Sequence, residues 1–98
     1  MEILKTEEFL AWASSLKDRR ALAYVNARVL RLALGNVGDS KAVGGGVSEM
    51  RIHYGPGYRV YFMRHGNRLV VLLVGGTKKT QQGDILTAKR LAEQIRRS

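Results

Sequence analysis

At 98 residues the chain has the length of one ordinary domain, and residues 1–98 are read as a single unit around one core. It carries 17 Lys and Arg against 8 Asp and Glu, a formal net charge of +9, and no cysteine, which excludes disulfides, thiolate metal sites and thiol catalysis. Two histidines do not build a metal site unaided, so neither a metal nor a small-molecule cofactor is expected.

No apolar run approaches the roughly 18 residues of a membrane span, and Glu2, Glu7 and Glu8 stand where a signal peptide would carry positive charge. A cytoplasmic protein with no membrane partner is expected. The charge is uneven: residues 1–41 hold 7 basic and 5 acidic groups, residues 42–98 hold 10 and 3. The field of the second half attracts a phosphate backbone, and RNA is the expected polyanion; the plainer alternative is a basic, solvated surface.

In chain order, Glu2 to Lys5 reads as a short strand. Thr6 followed by Glu7 and Glu8 starts a helix to about Leu16, the hydroxyl capping and the carboxylates favouring the positive helix end. Phe9, Ala13 and Leu16 form its inward stripe, flanked by Leu10 and Trp12. A longer helix is expected from Lys17 to Leu34, with Leu22, Val25, Val29 and Ala33 inward, Arg28 and Arg31 elsewhere, and Gly35 as its stop. The stretch from Asn36 to Gly46, rich in glycine around Asp39, Ser40 and Lys41, reads as a loop; its three consecutive glycines lack the Lys-Ser/Thr ending of a phosphate loop.

Three strands follow. Val47 to Tyr54 alternates, with Ser48, Met50, Ile52 and Tyr54 on a core face and Glu49, Arg51 and His53 on a chemical one. After Gly55-Pro56-Gly57, the strand Tyr58 to Arg64 sets Arg59, Tyr61 and Met63 against Tyr58, Val60 and Phe62. Arg68 to Val74 is apolar throughout, the mark of a central strand covered on both sides, and Gly75 and Gly76 end it. Asp84 caps a last helix with Ile85, Ala88, Leu91, Ala92 and Ile95 inward. The fold class is therefore α+β, an N-terminal helical hairpin and a C-terminal helix packed on a small, mostly antiparallel sheet.

Two constellations suit phosphodiester chemistry. Glu49, Arg51 and His53 share a strand face that Arg59 and Tyr61 adjoin across the hairpin: arginine grips a phosphate bidentately, and histidine or glutamate moves protons to and from the 2′-hydroxyl and the leaving oxygen. Read plainly, the same residues are an exposed sheet face with Glu-Arg pairs. The second is the run from Gly75 to Asp84, where Lys78, Lys79 and a helix start favour an anion, although Asp84 opposes it.

The segments Glu49-Met50-Arg51-Ile52, Gly57-Tyr58-Arg59-Val60-Tyr61-Phe62, Leu72 to Lys79, and Gln82-Gly83-Asp84-Ile85 resemble, in order and spacing, the RelE/ParE toxin superfamily, and most of all its HigB-like, phage Gp49-like addiction module branch. The resemblance implies a toxin of a type II toxin–antitoxin system: a ribosome-dependent endoribonuclease that cuts mRNA, inhibits translation, and is neutralised by a cognate antitoxin, expected to be a helix-turn-helix, HigA-like protein. It places transition-state phosphate binding on Arg59 and on Lys78 or Lys79, with Arg51 and His53 adding phosphate binding or proton transfer. The tyrosine that several RelE-like toxins carry near the last helix is missing, Asp84 and Ile85 occupying that region, so Asp84, Glu49 and His53 all stand as candidates for the general base. Two other activities compete: gyrase inhibition without catalysis, as in ParE toxins, and RNA binding without toxicity. Arg59→Ala is expected to relieve toxicity in a chain that stays folded.

Overall fold

A computed structural model describes residues Met1–Ser98. The elements are β1 (Glu2–Lys5), α1 (Glu7–Ser15), α2 (Arg19–Ala33), β2 (Ser40–Gly44), β3 (Val47–Ile52), β4 (Tyr58–His65), β5 (Leu69–Thr77), a 3-10 turn (Lys78–Thr80) and α3 (Gln81–Arg97). The three helices pack on one five-stranded sheet of order β1-β5-β4-β3-β2, antiparallel except for the parallel pair of β1 and β5. No helix is long and apolar enough to cross a membrane.

Side-chain chemistry sets the helix starts. Thr6 Oγ1 accepts from the Phe9 amide at 3.0 Å and so caps α1, while the Asp18 carboxylate accepts from the amides of Arg20 and Ala21 and caps α2. The buried stripe of α2 is Ala21, Val25 and Leu32 with Val29 partly buried, one step round from the expected one. Leu22 and Ala33 are displaced from its centre, because Arg28 is drawn inward to reach backbone carbonyls at the end of the sheet.

Both faces of the sheet are covered. On one, Met50, Ile52, Tyr58, Val60, Phe62, Val70 and Leu72 meet α1 and α2; on the other, Val47, Tyr61, Met63, Val71 and Leu73 meet Ala88, Leu91 and Ala92 of α3. The expected division into a core face and a chemical face is thus corrected. The inward stripe of α3 needs an apolar partner, so only the far end of that face, around Arg51 and His53, stays open.

Three further expectations change. The segment read as a loop contains β2, a short polar edge strand whose composition hides it and whose pairing with β3 is interrupted by a bulge between Ala42 and Gly44. Gly45 and Gly46, with φ of 63° and 74°, make the tight turn that joins it to β3. Gly75 and Gly76 do not end β5, which runs on to Thr77. Nor does Asp84 cap α3: the helix starts at Gln81, and Asp84 lies in its first turn, accepting from Thr80 Oγ1 at 2.5 Å.

The paired glycines have a packing reason. A register shift between Tyr61 and Phe62 makes Leu73 the extra residue in β5, so that Leu73 and Val74 both lie on the α3 side. Gly75 therefore faces α1 and Gly76 faces α3. A Cβ on Gly75 would overlap the Trp12 ring, and one on Gly76 would overlap the Asp84 carboxylate. The glycines let an aromatic ring and an acid lie directly on the strand from opposite sides.

Candidate phosphate-binding site at the end of the sheet

The β3–β4 ladder sets Arg51 directly opposite Arg59, and the β4–β5 ladder sets Arg59 opposite Gly76, so the two arginines and the Asp84 carboxylate over Gly76 share the α3 side of the sheet. Glu49 opposes Tyr61 one pair away on the same side. Alternation alone groups Glu49, Arg51 and His53 with Arg59 and Tyr61; the register sets Glu49, Arg51, Arg59 and Tyr61 side by side, and the packing of α3 adds Asp84.

Arg59 is recessed, 9% exposed. Its Nε lies 3.5 Å from Glu49 Oε2, and Nη1 donates to the Gly57 carbonyl at 3.2 Å. That carbonyl also accepts from the Lys78 amide at 2.9 Å, which ties the chain leaving β5 to the turn before β4. Glu49 has no solvent exposure; its Oε2 accepts from the Tyr61 hydroxyl at 3.0 Å and from Gln81 Nε2 at 2.8 Å. Burial, and then the bond to Glu49, push the Tyr61 phenol well above its ordinary value, so it remains a protonated donor. Two hydrogen-bond donors and the Arg59 cation thus converge on one enclosed carboxylate, which holds the Arg59 guanidinium by an ion pair at its Nε.

A second group sits at the open end. Asp39 accepts from Arg51 Nη2 at 3.0 Å and from His53 Nε2, and the two, His53 first, hold its carboxyl below the usual range. The His53 side chain is 74% exposed. Arg28 fastens this corner from behind, donating to the carbonyls of Arg51, Val37 and Asp39. Lys78 and Lys79 are exposed and line a shallow groove with Thr80, Gln81, Gln82, Gly83 and Asp84, at the positive end of α3. Arg51 and Arg59 are therefore adjacent, Lys78 adjoins them through Gly57, Asp84 overlies Gly76, and Glu49 is sealed beneath.

Asp39, Arg28 and Gln81 were not singled out from the sequence as site residues. Asp39 did leave a signal, as the only acid between Asp18 and Glu49 in a basic chain. Because its pKa is depressed in the fold, its ionised form stabilises the folded state above the unfolded value of 3.8, and that contribution disappears as pH falls through the lower folded value. Asp39→Asn lacks it at every pH. Chemical denaturation should therefore show a stability gap between wild type and variant that is constant at neutral pH and closes below about pH 4.

Comparison with known proteins places the chain in a family. The model of the family described as phage derived protein Gp49-like matches residues 14–97, and the chain belongs to that family. It is also 48% identical over 95 residues to an uncharacterized protein of Haemophilus influenzae, covering 97% of this chain and 96% of that protein.

Proposed function

We propose that this protein is the toxin of a type II toxin–antitoxin pair and that it arrests growth by cutting mRNA on the ribosome. The observation that carries the reading is the facing pair Arg51 and Arg59 on one side of the sheet, beside the exit that bears Lys78 and Lys79. Family membership and the net charge of +9 support it.

In this reading the RNA phosphate rests on Arg59, Arg51 and one of the two lysines, which neutralise the charge that builds on the non-bridging oxygens as the 2′-oxygen attacks phosphorus and the 5′-oxygen leaves. The products are a 2′,3′-cyclic phosphate and a 5′-hydroxyl. His53, oriented through Nε2 by Asp39, takes the 2′-hydroxyl proton at its other nitrogen, and the departing 5′-oxygen takes a proton from solvent water; Asp84, which is partly exposed over Gly76, is the other carboxylate beside the arginines. Glu49 positions Arg59 instead of meeting substrate, because its oxygens are enclosed. With so few mobile acid–base groups, ordering of mRNA by the ribosome supplies part of the catalysis.

A second reading, arrest by binding DNA gyrase without cleavage, draws on the enclosure of Arg59 against Glu49, which would make it a structural ion. Induced expression separates the two. Cleavage predicts growth arrest with codon-linked mRNA ends in primer extension, none with purified RNA unless ribosomes are added, and rescue by a co-expressed helix-turn-helix antitoxin from the adjacent gene. Arrest with intact mRNA and altered supercoiling would overturn it in favour of gyrase.

A further inference from the structure

On the opposite side of the sheet end from Arg59 lies an aromatic run that the proposed chemistry does not use. Tyr54, the residue after His53, stacks on Tyr58 at 6.5 Å between ring centroids and 19° between planes, and Tyr24 of α2 packs on Tyr54 at 4.8 Å. Tyr58 is buried, but Tyr24 is half exposed. The ladder thus ends in an aromatic surface open to solvent. Tyr54 is fixed behind it, its hydroxyl donating to Asp18 Oδ2 at 2.8 Å.

The surroundings of Tyr24 are basic at some cost to the helix. α2 contains Arg19, Arg20, Arg28 and Arg31 and no acid; the one carboxylate beside it is its cap, Asp18, which is engaged by the Arg20 and Ala21 amides and the Tyr54 hydroxyl. Arg19 and Arg20 occupy its first turn, where the helix dipole disfavours a cation, and both are exposed. Arg20 and Arg28 lie four residues on either side of Tyr24, and Arg28 reaches the Arg51 carbonyl. The aromatic surface is therefore joined through α2 to the corner that holds Arg51, Asp39 and His53. An exposed ring flanked by cations suits a chain that alternates flat bases with phosphates; an acidic protein segment would use the charge but has no need of the ring.

We propose that Tyr24, backed by Tyr54, is a stacking platform for an unpaired RNA base, with the exposed arginines of α2 holding the adjoining phosphates. The inference rests on the reading of RNA as the partner and adds a contact outside the cleavage residues. It places the strand across the end of the sheet, with one part gripped at Arg51 and Arg59 and a flanking base on α2.

The test measures binding without cleavage. The full chain is titrated at low salt with a fluorescent single-stranded 2′-O-methyl oligonucleotide, and in parallel with heparin, which has charge but no bases. Tyr24→Phe should bind the oligonucleotide like wild type, Tyr24→Ala and Tyr24→Leu about tenfold more weakly, and all should bind heparin equally. Irradiation with an oligonucleotide carrying 5-iodouridine should cross-link Tyr24. Unchanged oligonucleotide binding in both the Ala and Leu variants, equal loss of heparin, or no binding by wild type would each overturn the platform. So would a loss confined to copurification with a protein partner. Retained mRNA cleavage with unchanged binding in the variants would sink the platform alone, whereas loss of binding in a protein that cleaves nothing would uphold the platform and sink the nuclease.

Discussion

Arg59→Lys is expected to reduce ribosome-dependent mRNA cleavage by more than about 100-fold while the chain melts within a few degrees of wild type. The lysine keeps a positive charge beside the enclosed Glu49 carboxylate, 3.5 Å from the present Nε, so the buried acid is not left without a counter-ion. What it removes is the planar fork. In the proposed site, Nε and Nη1 are turned toward Glu49 and Gly57, and Nη2 is the remaining nitrogen available to a phosphate oxygen; a single ammonium cannot serve both the carboxylate below and the phosphate above. The expectation from sequence was that Arg59→Ala would do the same in an intact fold. Its burial against Glu49 makes that substitution a poor probe, because removing one partner of an enclosed pair costs about 3–5 kcal/mol. Loss of toxicity in the alanine variant would then report folding as much as chemistry. Primer extension on Arg59→Lys, read with its thermal melt, separates them. Full cleavage by a folded Arg59→Lys protein would remove the guanidinium from the mechanism.

The parts of the fold that were legible were those where one physical signal dominates. The stripe Ile85, Ala88, Leu91, Ala92 and Ile95 packs as its spacing requires, and the Leu-Val run of β5 is covered on both sides. Alternation along β3 and β4 was enough to put Glu49, Arg51, Arg59 and Tyr61 on one side. It could not say how far α3 would cover that side, and so Glu49 was read as part of an open face, chemical or merely solvated, where the structure buries it. Edge strand β2 escaped because Ser40–Gly44 has almost no apolar periodicity and is stabilised by pairing with β3, a contact distant in neither space nor sequence but invisible to propensity. Asp39 escaped with it, since its meeting with Arg51 and His53 depends on that pairing. The glycines misled for a related reason. Gly75-Gly76 reads as a stop from local propensity, yet the bulge at Leu73 turns one toward Trp12 and the other toward Asp84, and their lack of a side chain serves packing within a continuing strand.

The largest loss of stability is expected at Glu49. In Glu49→Ala the Arg59 cation loses its counter-ion and the Tyr61 hydroxyl and Gln81 amide lose their acceptor inside the sheet–α3 layer, and a cavity replaces the side chain. Removing one member of such a pair costs about 3–5 kcal/mol. For a domain near 100 residues, where 1 kcal/mol moves the melting temperature by roughly 4–8 °C, the variant should melt at least about 12 °C lower than wild type. The physical cause is the uncompensated charge and not the carboxylate as such, which a double-mutant cycle can show. Glu49→Leu combined with Arg59→Met replaces the pair by apolar groups of similar volume, and such replacements are often neutral or stabilising. The double variant should therefore recover most of the stability lost in Glu49→Leu alone, giving a coupling well above the few tenths of a kcal/mol found for independent sites. It should remain non-toxic, since the phosphate grip is gone. Simple additivity of the two single substitutions would mean that Glu49 does not hold Arg59, and the recessed arginine would need another explanation.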